Sequence, residues 1–121
     1  MKLEPSSMAL LSMLLLGTPA STAEPPHAGL VPEITNDQVR VLRVRIEPHG
    51  TIPMHEVPPH VVVWLTDADL ELTYPDGRTE VQHARAGEVL WVAVGKHSGR
   101  NLGSRPVEFV AIESVTHPGS R

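Results

Sequence analysis

The chain has 121 residues, which is room for one ordinary domain. Its hydrophobic fraction of 40% and charged fraction of 20% exclude a wholly disordered chain. A formal net charge of −4, without a cluster of Lys or Arg, excludes a nucleic-acid binder that depends on phosphate contacts. Cysteine is absent, so disulfides, thiolate zinc sites and cysteine nucleophiles are excluded too. Seven histidines are the main chemical resource that remains.

The first segment, residues 1–23, is predicted to be a secretory signal peptide. Residues 8–17 form an apolar run that is too short to span a bilayer as a helix. Lys2 precedes this run, and small residues lead up to a cut after Ala23. Glu4 makes the leading part atypical, and a buried N-terminal helix is the alternative interpretation. We therefore expect a periplasmic or secreted protein with no membrane association after cleavage.

Residues 24–36 are proline-rich and polar, and we predict a linker there. From residue 37 the pattern changes to short strands. Twelve prolines with two Trp, one Tyr and one Phe favour strands broken by turns over long helices. Six strands are predicted, at residues 39–46, 60–65, 70–74, 79–83, 89–94 and 106–113.

The strands are apolar or alternating, with one slip at Leu42 that suggests a bulge, except that residues 79–83 are mostly polar and are predicted to form an edge strand. Residues 60–65 and 89–94 are apolar enough to be buried on both faces, whereas residues 48–53 and the glycine-punctuated residues 95–103 are predicted to be loops. Strands of this length between Gly and Pro turns predict an antiparallel all-β sandwich or barrel over residues 37–115. A short tail, residues 116–121, follows.

The histidines are concentrated around the two most apolar strands. The first of these strands begins at His60 and is preceded by His49 and His55. The second is followed by His97. If the two strands are neighbours in a small barrel, these imidazoles converge at its mouth. Neutral imidazole is the commonest protein ligand for first-row metals. The alternative is a set of partly buried histidines that bond to backbone carbonyls. The remaining three, His27, His83 and His117, are predicted to be solvated.

Two segments resemble the motifs of a known family. The first runs from Gly50 through His55, and the second runs from Gly87 through Gly95 and His97 to Asn101. Residues 40–113 as a whole resemble a small single-domain cupin. The resemblance implies a jelly-roll β-barrel, that is, an antiparallel double-stranded β-helix. It also implies that His55 and His97 are metal ligands, and that the protein pairs into a homodimer.

The first motif is degenerate. Val57 stands where cupins have the second histidine of a His-x-His pair, and Val61 or Val62 stands where they have an acidic ligand. In the second motif Ala93 replaces a proline. A site with only two protein ligands would bind metal weakly, because water would fill the open positions.

His60 lies outside the motif but could replace the lost ligand. The Pro58–Pro59 pair precedes it, and paired prolines shift strand parity, which could rotate this imidazole inward. Glu56 neighbours His55 and should point to the opposite face. The working hypothesis is a three-histidine metal site, made by His55, His60 and His97.

Three functions follow from this hypothesis. The first is a metal-dependent cupin that acts on a small organic substrate by dioxygenase- or isomerase-type chemistry, with a divalent Fe, Mn, Ni, Cu or Zn ion. Its pocket wall would include Val62, Trp64 and Val92. No residue is assigned to catalysis, and the substrate is not specified. The second is a non-catalytic binding module that has lost its metal ligands. The third is a secreted metal-binding protein in which Met54 adds a soft ligand.

Overall fold

A computed structural model of the chain describes residues 28–115. The predicted signal peptide and the tail at residues 116–121 therefore lie outside the described residues. Within the described range no helix is long and apolar enough to cross a membrane. The strands there are β1 (Ala28–Thr35), β2 (Val39–Ile46), β3 (Thr51–Val57), β4 (His60–Trp64), β5 (Ala68–Thr73), β6 (Thr79–Ala84), β7 (Val89–Val92), β8 (Gly95–Asn101) and β9 (Val107–Ser114).

The strands form two antiparallel sheets, with order β1-β2-β9-β4-β7 in one and β3-β8-β5-β6 in the other. Successive strands repeatedly cross from one sheet to the other. Strand β9 at the end of the chain, for example, lies between β2 and β4. This arrangement is an antiparallel double-stranded β-helix, so the predicted all-β jelly-roll fold is confirmed.

The core lies between the two sheets and is built from alternate residues of each strand. Val62 and Trp64 of β4 face inward, as do Leu42, Val44 and Ile46 of β2. Leu70 of β5 supplies the facing side of the second sheet, and the rings of Trp64 and Phe109 lie 5.1 Å apart. Apolar side chains at every second position are what a half-buried antiparallel sheet requires.

The predicted linker is wrong over the residues that form β1. This strand pairs with β2 from Ala28 to Thr35, with one register shift between Pro32 and Ile34. Because β1 is an edge strand, Pro32 can sit in it without removing a hydrogen bond from the inside of the sheet. The bulge expected near Leu42 thus lies opposite that residue, in the partner strand, while β2 pairs with β9 without a shift.

Two predicted loops are also strands in part or in full. Strand β3 starts at Thr51, inside the expected loop at residues 48–53, and β8 covers most of the expected loop at residues 95–103. Strand β8 lacks an apolar pattern, but it is hydrogen-bonded on one side to β3 and on the other to β5. Pairing on both sides overrides the weak strand propensity of its glycines.

Strand β7 is not buried on both faces, contrary to the prediction for residues 89–94. Leu90 and Val92 turn toward the core, but Val89 is 66% exposed and Trp91 is 63% exposed. A strand buried on both faces would place Trp91 in the core. It lies instead on the outer surface of the five-stranded sheet.

A buried asparagine ties together the loops at one end of the barrel. The Asn101 side chain is fully buried, and its Nδ2 donates to the carbonyls of Ile46, Glu47 and Arg105 at 3.1, 3.2 and 2.8 Å. Its Oδ1 accepts a hydrogen bond from the Gly103 amide at 2.9 Å. Buried polar groups that lose such a partner are costly, so this side chain fixes the start of the segment that leads from β8 to β9.

Asn101→Ala should therefore lower the free energy of unfolding by about 3 kcal/mol, because several buried backbone groups lose their partner at once. Denaturant titration followed by circular dichroism measures this. Asn36→Ala is the matched control. Its Oδ1 also accepts backbone hydrogen bonds, from Gln38 and Val39, but at an exposed turn. An equal loss in both variants would contradict the role assigned to burial.

Candidate functional site

His55 and His97 form a cross-strand pair. The register of β3 and β8 makes them direct partners, and their ring centroids lie 5.6 Å apart in an edge-to-face arrangement. The register shifts between Ile52 and His55, so both residues line the larger cavity although they are three apart in sequence, and His55 remains exposed to solvent. Pro53 lies in this bulge, where its missing N–H does not interrupt the ladder.

His60 lies on the same inner face as the core of its strand. It opens β4 directly after Pro58 and Pro59, and it alternates in phase with Val62 and Trp64, which are both buried. Its imidazole is itself buried. The inward orientation that the three-histidine hypothesis required is therefore present, and His60 lines the same two cavities as His55 and His97.

Backbone carbonyls hold two of the three rings. His55 Nδ1 lies 2.8 Å from the carbonyl oxygen of Pro53, and His60 Nδ1 lies 2.7 Å from that of Pro58. A carbonyl oxygen can only accept, so Nδ1 donates its proton in both contacts. In the neutral ring this leaves the lone pair on Nε2. The carbonyl contacts expected from the alternative interpretation are thus present, but they occupy one nitrogen per ring, as in histidines that bind metals.

His97 is the half-buried member of the group. Burial lowers the pKa of its imidazole below the ordinary value of 6.5, and positive charge on His55 and His60 lowers this pKa further. Removing a charged ring from water is unfavourable, and a nearby like charge adds to the cost. His97 is therefore neutral at pH 7, which is the state that binds metals or accepts a hydrogen bond from a ligand.

The donor atoms fit a transition metal in type and protonation, but they do not form a closed triad. Between residues 28 and 115 no three His, Asp or Glu side chains are gathered closely enough to hold a metal ion. Val57, at the position of the missing motif histidine, packs into the core at 3% exposure. Glu56 is exposed and pairs with Lys96 in the ladder. The ligands available to a transition metal are therefore the His55–His97 pair, with His60 beside it.

The histidines lie in the wall between two cavities. The larger, of about 380 Å³, has a mainly apolar lining to which all three residues of the predicted pocket, Val62, Trp64 and Val92, contribute. The smaller, of about 310 Å³, extends toward Leu30 and the Arg40–Glu113 ion pair. Five residues line both cavities: Ile52, His55, His60, His97 and Phe109.

Tyr74 and Glu80 form a polar pair on the wall of the larger cavity. The Tyr74 hydroxyl donates to Glu80 Oε1 at 2.8 Å, which raises the pKa of the tyrosine. The Tyr74 ring lies edge-on to His97 with centroids 6.2 Å apart, and the Arg78 guanidinium lies 4.4 Å from its centre. Sequence reasoning missed this pair. The Pro-Asp-Gly turn after Tyr74 was the available signal, because a hairpin brings residues on its two strands together.

The other described histidines lie outside the site. His49 adopts a left-handed backbone, with φ of 62°, in the turn between β2 and β3. His83 is exposed and its Nδ1 contacts Asp69 at 2.6 Å. His27 and His117 fall outside the described residues.

Solved structures with this architecture share a family. A cupin domain from Bordetella pertussis Tohama I is 27% identical and superposes with a TM-score of 0.70, over 77% of this chain and 98% of that one. The chain is a member of the cupin superfamily. No protein-family profile matches its sequence, and neither does any curated protein. The assignment of this chain to the cupin superfamily therefore rests on the fold together with the two motifs.

Two more distant cupin-fold neighbours are enzymes. The polyketide cyclase RemF from Streptomyces resistomycificus is 20% identical with a TM-score of 0.58, over 78% of this chain and 70% of that one. The oxalate decarboxylase of Bacillus subtilis, which has Mn(II) centres, is 21% identical with a TM-score of 0.57. That match covers 86% of this chain but 29% of the decarboxylase. At these identities the likeness concerns the fold.

The lowered pKa of His97 makes the stability of the metal-free protein depend on pH. Its imidazole binds a proton more readily when the chain is unfolded, so stability is retained above about pH 6.5 and is lost as the pH falls below it. Denaturant titrations at a series of pH values should show this decline in the parent and a shallower one in His97→Gln. An equal decline in both would contradict the cause assigned to it.

Proposed function

We propose that this cupin binds a divalent transition metal through His55, His97 and His60, and holds a small, largely apolar organic molecule in the adjoining cavity. One observation carries the proposal. Three imidazoles line one largely apolar cavity, those of exposed His55, buried His60 and half-buried His97, and two of them have Nε2 left free by a backbone hydrogen bond at Nδ1. Neutral imidazoles suit Fe, Mn, Ni, Cu and Zn, so the donor set does not select among these ions.

A bound metal would polarise an oxygen atom of the substrate or activate O₂, which is the chemistry of dioxygenase- and isomerase-type cupins. The chain's own residues would form the site around the substrate. Val62, Trp64 and Val92 shape the apolar wall and exclude water from the site. On that wall the Tyr74 hydroxyl donates a hydrogen bond to Glu80, within reach of a polar group on the bound molecule.

Three imidazoles with no carboxylate ligand leave several coordination positions open. Such a site binds its ion less tightly than a site with four protein ligands, but it leaves room for a substrate to coordinate. The Mn(II) centres of the Bacillus decarboxylase support the proposal only by showing that this fold can hold a divalent ion. We further propose that the protein works in the periplasm or outside the cell, as the sequence of residues 1–23 predicts.

The metal proposal predicts that His55→Ala and His97→Ala each weaken metal binding by at least about tenfold, because each removes a direct ligand. Protein loaded with each of the five ions and then dialysed is analysed by elemental mass spectrometry. His60→Ala should also lose metal, although His60 lies at the start of β4, in the other sheet from His55 and His97. The parent should retain about one ion per chain, as expected for a single site.

The matched control is His83→Ala, which removes an exposed histidine on β6 that lies outside the site and should leave the metal content unchanged. A parent without bound metal, or equal metal content in His97→Ala and the parent, would contradict the proposal.

A second candidate function is a non-catalytic binding module. It is favoured by the buried Val57 at the position of a family ligand and by the absence of a closed triad among residues 28–115. In that case the cavity alone would bind the ligand, and the histidines would serve as hydrogen-bond acceptors. A metal-binding protein without catalysis is the third candidate, and the half-exposed Met54 beside His55 is its support.

The proposed function and the non-catalytic binding module both predict that the larger cavity binds a small arene. Benzene should shift the NMR signals of the Val62 and Val92 methyl groups, because both line the cavity, and should leave those of the outward-facing Val81 unchanged. Val92→Phe should abolish the shift at Val62 by filling the space. Benzene that binds equally well to Val92→Phe would show that the ligand space lies elsewhere.

A further inference from the structure

Strand β6 turns its polar side chains toward the larger cavity. The register places Gln82 opposite Leu70, which is buried in the core, and both side chains line the cavity. The next pair on the same face is Glu80 opposite Leu72, and it lines the cavity as well. Val81 lies between the two polar residues on the outer face, where it is 44% exposed. Because opposed residues share a face of a sheet, β6 is amphipathic in the reverse of the usual sense.

The fold itself uses little of this polar surface. Oε1 of Glu80 accepts the hydrogen bond from the Tyr74 hydroxyl at 2.8 Å. Within residues 28–115 this is the only side-chain hydrogen bond of Glu80, and the amide of Gln82 makes none. Oε2 of Glu80 is therefore free to accept a hydrogen bond from a molecule in the cavity. Polar groups that face an apolar cavity without a partner are unfavourable unless water or a ligand satisfies them.

A row of side chains leads from Glu80 to the histidine strands. Partners in successive strands of the four-stranded sheet form this row, and all of them line the larger cavity: Ile52, Gly99, Leu72 and Glu80. Gly99 has no side chain, and it lies two residues after His97 on the same face of β8. Strands β8 and β6 are two strand spacings apart, or about 10 Å. A small molecule that lies over Gly99 can thus contact His97 at one end and Glu80 at the other.

The charge of the cavity favours one class of ligand. Among the described residues Glu80 is the only acid that lines it. Lys96 also borders the cavity, but it directly precedes the cavity-lining His97, so alternation directs its side chain to the other face. An anionic ligand would be repelled by the carboxylate in these apolar surroundings. An ammonium group would lose its hydration there at a greater cost than a neutral hydroxyl group.

We propose that Glu80 determines which molecules the larger cavity binds. Its Oε2 accepts a hydrogen bond from a neutral hydroxyl group on a small and otherwise apolar molecule, and its charge excludes carboxylates. Tyr74 is a positioning residue, because its hydroxyl occupies Oε1 and leaves Oε2 for the ligand. This inference rests on the proposed function, since it names the class of molecule that the cavity of that function binds.

The test compares benzene, phenol and benzoate, which share a ring and differ in one substituent. The full chain is titrated with each probe, and the NMR shifts of the Val62 and Val92 methyl groups give the affinities. The parent should bind phenol about tenfold more tightly than benzene, because a hydrogen bond to a charged acceptor contributes about that factor. It should bind benzoate more weakly than benzene. Glu80→Gln should reduce the advantage of phenol several-fold and raise the affinity for benzoate.

Glu71→Gln is the matched control. It removes the same charge from β5, but opposite Val81 on the outer face, so its affinities for all three probes should equal those of the parent. Opposite changes for phenol and benzoate in Glu80→Gln cannot come from a general loss of folding. Coordination of a probe by a bound metal contributes equally to the variants that are compared.

The outcomes separate this inference from the proposed function. A parent that does not bind benzene contradicts the ligand cavity of the proposed function, and overturns this inference with it. A parent that binds benzene and phenol equally tightly overturns only the role of Glu80. The same holds if Glu80→Gln keeps the parent's order of affinities and merely lowers the free energy of unfolding, since the Tyr74–Glu80 pair would then serve only to stabilise the hairpin.

Discussion

The period-two alternation of side chains along a strand is the constraint on which both surfaces of this protein depend. A shift of one residue moves every side chain of a strand to the other face. In β3 the bulge at Pro53 brings Ile52 and His55 to the same face, and without it these two side chains would lie on opposite faces. In β4 the same alternation places His60 inside and Val61 outside. One register thus sets the donor atoms of the cavity and the apolar side chains on the outer face of the five-stranded sheet.

Much of the fold follows from the sequence because β2, β4, β5 and β9 carry strong strand patterns. Strand β8 was missed because Gly95, Gly99 and the polar residues between them have no strand pattern of their own. Their conformation comes from ladders on both sides, which a local pattern cannot show. Strand β1 was missed because its prolines suggested a linker, whereas an edge strand tolerates them. Burial of β7 was misjudged because an apolar strand has the same sequence whether one or both of its faces are covered by the core.

Only part of the site could be predicted from the sequence. His55 and His97 follow from the motifs, and His60 could be proposed because two prolines precede it. The hairpin turn gave a signal that Tyr74 and Glu80 pair, but their position on the cavity wall could not be foreseen, because it depends on which face of the hairpin turns toward the cavity. The protonation of the imidazole rings could not be predicted from the sequence either. It is set by the carbonyls of Pro53 and Pro58 and by the burial of His97, all of which require coordinates.

The position of the histidines between two cavities has a consequence for ligand size. Ile52 and Phe109 line both cavities beside the imidazoles. A change in the bulk of Ile52 would therefore alter the space in both cavities at once, and with it the size of molecule that fits beside the rings.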